Sequence, residues 1–314
     1  MKAVVAAILG CVLALSLTAC FLGSTVMTDS YANAEAYHAG DFEYRAEDVK
    51  KLEVNWYCGG VILKRAEGDM LRVTESGTGL QTEQAVHWLL TDGVLRVEFC
   101  ASGYAGRFSG QDKKLTVEIP AGLDIEVTTT SAGIAAELGK QKNVFLQTTS
   151  GTNEVSGETG AIGVEHLTAE SLSADTTSGS VRVLDVSVTD SIRLGSTSGG
   201  IRAENLNANG GLIAAESNSG NIRLDTVRTG TLTAGTTSGS VTVGLNECRD
   251  ATSGTTSGNV RLTLSQSLGA PVRASSTSGS FNGSGYRSEN GKYIWGDGAC
   301  TVSLGTTSGS ITVK

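Results

Sequence analysis

The stretch Thr176-Thr177-Ser178-Gly179-Ser180-Val181-Arg182-Val183 decides the fold, because versions of it recur through the second half of the chain. The pattern returns at 196–203, 217–224, 236–243, 255–262 and 306–313, with weaker copies at 129–136, 148–155 and 276–283. Its turn position is held by Ala132, Gly151, Gly179, Gly199, Gly220, Gly239, Gly258, Gly279 and Gly309. Most copies lie 19 to 21 residues apart, with wider gaps of 28 before Gly179 and 30 before Gly309. A fixed period near 20 residues is the signature of a solenoid.

Within each copy, apolar residues alternate with polar ones. Ile192 and Leu194, Ile213 and Ala215, and Leu232 and Ala234 lie seven and five residues before their turns. Val181 and Val183, Ile222 and Leu224, and Val241 and Val243 lie two and four after them. Arg182, Arg202, Arg223 and Arg261 fill the third position after the turn, and Thr or Ser always stands three before it. A period of two with a polar outer row describes strands with one buried face. At the Ser-Gly step between two strands, Gly supplies a bend that a Cβ would oppose. The expected fold is all-β: a parallel β-solenoid, or β-helix, of roughly 20-residue coils with Thr-Ser-Gly turns. Each coil is expected to pair with the next at about 4.8 Å. The Ser just before each turn (Ser178, Ser198, Ser219, Ser238, Ser257) would then stack into hydroxyl ladders.

Composition agrees with such a stack. Gly, Ser and Thr make up roughly a third of the 314 residues, well above ordinary usage. Only 2 Pro and no Gly-X-Y period exclude a collagen. A net charge of -8 lacks the basic footprint of a nucleic-acid partner. A hydrophobic content of 39% is too high for a disordered chain.

The first residues read as an address. Lys2 precedes an uncharged apolar run that ends in Leu17-Thr18-Ala19-Cys20. Residues 1–19 have the form of a secretory signal peptide, and the sequence around Cys20 resembles the bacterial lipoprotein box. That resemblance makes Cys20 the lipidation site, 20–40 a lipidated tether, and the membrane a partner through the N-terminus. An uncleaved helix over 3–27, or plain secretion, are the rival readings. All three place the rest of the chain outside the cytoplasm, and the lipoprotein reading anchors it to the bacterial cell membrane.

Four cysteines remain beyond the leader and Cys20: Cys58, Cys100, Cys248 and Cys300. No C-x-x-C spacing suggests a zinc or redox site, and no cofactor or metal is expected. An exported chain permits disulfides. Cys58–Cys100 is the first choice, since each ends a strand-like run, with Cys248–Cys300 as its complement; buried free thiols are the alternative.

Residues 41–123 lack the repeat but are strand-rich, and are expected to form irregular first coils, with one short helix over 82–90. The regular solenoid should occupy 124–314, with a hairpin insert at 280–300 signalled by Asn290-Gly291. The insert carries Tyr286, Tyr293 and Trp295, either a ligand or glycan platform or a lid over the terminal edge.

Leu115-Thr116-Val117-Glu118-Ile119-Pro120, then Leu123-Asp124-Ile125-Glu126-Val127-Thr128-Thr129 and the repeated Thr-Ser-Gly-x-Val, resemble the bacterial putative-adhesin domain family, first catalogued as a domain of unknown function. The resemblance covers about 48–314. It implies a repetitive, often membrane-anchored surface protein with no catalytic motif, and relatives associated with envelope-stress sensing.

No catalytic constellation emerges from the residues. His38, His87 and His166 accompany no G-x-S-x-G elbow. Asp175, Asp185, Asp190, Asp225 and Asp250 occupy no recurrent coil position, which leaves glycoside cleavage open only to a carboxylate pair brought together in space. The leading expectation is a non-enzymatic cell-surface lipoprotein, an adhesin or structural display rod with a glycan, cell-wall or surface-protein ligand. The alternatives are an envelope-stress sensor or regulatory ligand-binding module, and then a carbohydrate-active enzyme.

Overall fold

The computed structural model describes residues 26–27, 30–106, 113–151, 153–155, 158–265, 267–289, 292–295 and 300–314. The expected signal peptide and Cys20 lie outside them. The fold is a β-solenoid-like stack with no α-helix among the described residues. Each coil contributes one strand before its Thr-Ser-Gly turn and one after it. The first column runs through 51–55, 124–129, 143–148, 171–176, 191–196, Leu212–Ser217, Thr231–Thr236 and Asp250–Thr255. The second runs through 60–65, 134–140, 162–168, 181–187, Ile201–Asn207, Ile222–Arg228, Val241–Glu247 and Val260–Leu264. All these pairings are parallel, so equivalent repeat positions lie above one another. The apolar members of each alternation point inward and are buried, as at Ile192, Ile213 and Leu232 or Val181, Ile201 and Ile222. At about 25 cal/mol per Å² of apolar surface buried, this continuous inner row is the main stabilising term.

The coils are joined by hydroxyls three residues before the turn. Ser196, Ser217, Thr236, Thr255 and Thr306 donate to the carbonyls of Gly179, Gly199, Gly220, Gly239 and Gly258 in the coil below, at 2.8–3.0 Å. The ladder expected of the Ser just before the turn runs instead through its backbone. The amides of Ser198, Ser219, Ser238 and Ser257 donate to carbonyls one coil down, while these four side chains face solvent. Most turn glycines are also there for a different reason from the one expected. Among them only Gly179 has a positive φ, 125°. A Cβ on Gly199 would stand 1.7 Å from the Gly179 carbonyl oxygen, and one on Gly220 would stand 1.9 Å from that of Gly199. The backbones approach too closely for any side chain.

A second corner bends each following strand. His166, Asp185, Asn205 and Thr226 occupy it in consecutive coils, all left-handed with φ between 50 and 58°. Asp and Asn tolerate that conformation; branched Thr226 is strained there. The 28-residue gap holds a small hairpin outside the stack, Asn153–Val155 against Glu158–Gly160, after which Ile162–Ser178 rejoins the coils.

The proximal end mixes coil and hairpin. Lys51–Arg65 pairs along its length with Asp124–Lys140, and Val94–Glu98 and Lys114–Ile119 lie in parallel on its other edge. Antiparallel strands then close the end: His87–Thr91 on Val94–Glu98, Met70–Ser76 on Lys114–Ile119, and Phe42–Arg45 on Met70–Ser76. The helix expected over 82–90 is a 3-10 turn, Thr82–Gln84, followed by the strand His87–Thr91. Asp92 and Gly93, both with positive φ, make the two-residue hairpin turn that fixes this strand. The segment expected to be a tether is also ordered from residue 30. His38–Ala39 pairs with His87–Trp88, and the Tyr31 hydroxyl donates to the Cys100 carbonyl at 3.1 Å.

The distal end departs from chain order. Asp250–Thr255 and Val260–Leu264 pair with Thr301–Thr306 and Ile311–Val313, which pair in turn with Ala270–Ser276 and Phe281–Gly283. The last coil in sequence is therefore inserted beneath the one before it. Cys248 and Cys300, at the starts of adjacent coils, form a disulfide with Cα atoms 5.5 Å apart. Cys58 and Cys100 do not; both are buried outside any disulfide. Extending the register that pairs Asn55 with Glu98 sets Cys100 level with Tyr57, one residue off Cys58.

Candidate functional site

The aromatic insert sits on the outermost coil. Lys292–Trp295 pairs antiparallel with 270–272 and with Arg287–Glu289. The connecting Asn290-Gly291 lies outside the described residues. Tyr293 stacks on Phe281 with ring centroids 4.0 Å apart, and Tyr286 meets Tyr293 and Trp295 at 4.8 and 5.2 Å. Trp295 is buried and donates its indole N–H to the Ser284 carbonyl at 2.9 Å. Tyr286 is the most open of these rings, 37% exposed. Tyr293 and Trp295 thus turn their surfaces to the end coil, and Tyr286 offers a face to solvent.

At the proximal end lies a polar cluster that the sequence reading overlooked. Lys113 is 1% exposed and pairs with Glu75 at 2.7 Å. Its ammonium donates to the carbonyls of Gln84 and Phe99 and lies over the rings of Phe99 and Trp56. Glu75 also accepts the Val86 amide. Burial lowers the Lys113 pKa, opposed by the hydrogen bond and charge of Glu75. One cation thereby joins four segments. The missed signal was parity: Lys113 lies on the inward side with Leu115, Val117 and Ile119.

Beside it, burial pushes the Glu98 carboxyl up to about 7, with Glu53 adding to the shift and Asn55 and Arg96 opposing it. The Asn55 amide donates to Glu98 at 2.9 Å. The N-terminal segment covers this region: burial foremost, and the Glu98 charge next, raise the pKa of both Tyr31 and Tyr37. Within the regular coils, burial raises the pKa of Asp175, whose carboxylate accepts the Ser173 hydroxyl and lies over Gly195.

Two surface grooves are shallow, about 290 Å³ each. One is bordered by Lys51, Asp124, Glu126, Asn143 and Ser171. Its polar groups bind one another: Lys51 holds Glu126 at 2.6 Å, Asn143 donates to Asp124, and Ser171 donates to Asn143. The other is bordered by Asp225, Thr242 and Asn246 at the bent corner. The three histidines are dispersed. His38 lies tilted against Trp88 with ring centroids 4.7 Å apart, His87 contacts the Ala85 carbonyl, and exposed His166 lies 3.5 Å from Asp185 and 3.8 Å from Glu137. Among the described residues no group of His, Cys, Asp or Glu is placed to hold a metal, and no helix is long and apolar enough to cross a membrane.

Comparison with known proteins gives a family match and loose structural neighbours. The model of the Toastrack DUF4097 family matches residues 49–314. No curated protein matches. Among solved structures, a putative adhesin from Bacteroides fragilis is 11% identical, covering 87% of this chain and 96% of its own, at a TM-score of 0.41. A putative adhesin from Parabacteroides merdae is 11% identical over 91% and 98%, at 0.38. A putative lipid binding protein from Parabacteroides distasonis is 11% identical over 91% and 99%, at 0.37.

Proposed function

We propose, from the premise that the chain belongs to the Toastrack DUF4097 family, that it is a non-enzymatic rod displayed on the bacterial surface, held to the membrane by a lipid on Cys20. The rod acts in adhesion or structural display. The observation that carries this reading is the use made of the repeat's most reactive-looking groups. The buried hydroxyls of Ser196, Ser217, Thr236, Thr255 and Thr306 donate into neighbouring coils. A hydroxyl held in that way builds length and leaves no base-activated nucleophile. The outward face of each coil is then free to vary without loss of the stack. Tyr286, at the tip, is the recognition residue we favour, because an exposed ring on a rigid mount makes a low-entropy contact with a glycan or surface protein.

Two measurements test the proposal. Metabolic labelling with a lipid precursor should mark the wild-type protein and fail with Cys20→Ala; equal labelling removes the anchor. Binding of the purified rod to glycans, cell-wall fragments and surface proteins should fall with Tyr286→Ala while thermal stability is kept. Turnover of any polysaccharide would overturn the non-enzymatic reading.

A second reading, an envelope sensor, draws on the docked N-terminal segment. Residues 30–40 connect the expected anchor to Cys100 and Trp88 at the base of the rod, so docking there gives a route from the rod to the membrane. Hydrogen exchange of 30–40 that changes when the rod binds an envelope ligand would favour it.

A further inference from the structure

The inserted terminal coil poses a question of specificity. The coils at 250–264, 270–283 and 301–313 carry almost the same repeat. In the observed stack, Thr306 donates to the Gly258 carbonyl and Ser276 to that of Gly309. The amide of Ser308 donates to the Thr256 carbonyl, and that of Ser278 to the Thr307 carbonyl. A stack in chain order would place Ser276 over Gly258 and Thr306 over Gly279, with the same hydroxyls, carbonyls and small turn residues. Inward residues would also match, Val272 in place of Val302 against Ala251. The ladder chemistry is therefore nearly indifferent to which coil comes next.

Two features distinguish the orders. Cys248 and Cys300 are bonded across adjacent coils, with Cα atoms 5.5 Å apart. In chain order they would be two levels apart, about 9.6 Å at the usual strand spacing, beyond the roughly 7 Å a disulfide can span. The hairpin strand Lys292–Trp295 also occupies the edge of 270–272 opposite the inserted coil, so the last two coils cannot exchange places while it stays there.

We propose that the Cys248–Cys300 disulfide is a redox lock on coil order. Oxidised, it holds coil 301–313 beneath coil 270–283 and leaves the aromatic hairpin at the tip. Reduced by two small-molecule thiols, which give their protons to the two cysteines and leave joined as a disulfide, it frees the terminal coils to adopt chain order, and the hairpin leaves the edge it now covers. Closure is thiol–disulfide exchange with a small-molecule disulfide of the glutathione type. One cysteine sulfur attacks the oxidant and expels one thiol. The second cysteine resolves the mixed disulfide and expels the other. The two thiol protons end on the two released thiols, and the oxidant gains the two electrons.

Cross-linking reads coil order directly. Thr252, Ser303 and Arg273 lie at equivalent outward positions, with Ser303 between the other two. In the locked protein, Thr252→Cys with Ser303→Cys should join readily through a short bifunctional thiol reagent, and Thr252→Cys with Arg273→Cys should not. Adding Cys248→Ser and Cys300→Ser should lower the ratio of the first product to the second at least fivefold. An unchanged ratio overturns the proposal. So does loss of the first product without gain of the second, which would mean fraying rather than reordering. If the serine variants do not fold, hydrogen exchange on the native chain before and after mild dithiol reduction replaces them. Protection of the 301–313 amides should fall at least tenfold while that of the 270–276 amides is kept, and should return on reoxidation; unchanged protection, or loss from both coils together, overturns the lock.

Discussion

Coils 181–264 and the proximal end at 41–119 both cover a hydrophobic core with β-strands, but they hold it by different means. In the coils, one small interaction is repeated: a buried hydroxyl donates to a glycine carbonyl one level down, and the backbone passes too close for a side chain. At the proximal end, a single lysine ties four segments together under a layer of aromatic rings. Repetition spreads stability over many nearest-neighbour terms, as in other solenoids. The end has no further coil to pair with, so it closes with antiparallel hairpins that cover its edges. One consequence is an unequal response to mutation.

The largest effect should come from Lys113→Met. It leaves the Glu75 carboxylate buried without its cation, a loss of about 3–5 kcal/mol. Urea unfolding followed by tryptophan fluorescence reads this end well, since Trp56 and Trp88 both lie there. A cost no larger than that of a coil hydroxyl would break the comparison. Next comes Gly220→Ala, whose Cβ would press on the Gly199 carbonyl oxygen at 1.9 Å. Overpacking of this kind costs about 1–3 kcal/mol, to be measured by calorimetry. Thr236→Val keeps the shape and removes the donor to Gly220, which should cost about 1 kcal/mol in the same experiment. Parallel measurements of Ser217→Ala and Thr255→Val sharpen the point: the repeat predicts similar losses at each level.

The smallest expected effect is a pH dependence confined to the base. Glu98 has an ordinary carboxyl value of 4.5 and is raised by burial to about 7, so the folded end favours the protonated acid. Its contribution is complete below 4.5 and is lost as pH rises through 7. Hydrogen-exchange protection factors at 31–39 and 87–98, with the intrinsic pH dependence of the amides divided out, should therefore be higher at pH 5 than at pH 8. Glu98→Gln should reduce that difference and slow exchange at pH 8. Equal pH dependence in the variant would remove Glu98 as its source.

Much of the regular stack was legible from residue spacing. Inward rows such as Ile192, Ile213 and Leu232 follow from period two inside a period of about 20. Other features were present in the sequence and misread. Asp92-Gly93 between apolar runs is a hairpin turn, and it outweighs a helix over 82–90. Lys113 shares inward parity with Leu115, but parity alone does not supply the carbonyls and the carboxylate that make a buried ammonium tolerable. The expected Cys58–Cys100 pair failed because proximity of two strand ends does not fix side-chain level.

The sequence by itself determined the unit: its length, its inward residues and its turns, because period and alternation are local properties. Tertiary structure decided the order and the ends. Near-identical repeats make the contacts between coils nearly interchangeable, so local chemistry does not choose which coil lies on which. That choice falls to interactions between residues far apart in the chain, the Cys248–Cys300 bond and the antiparallel hairpin strand at the tip.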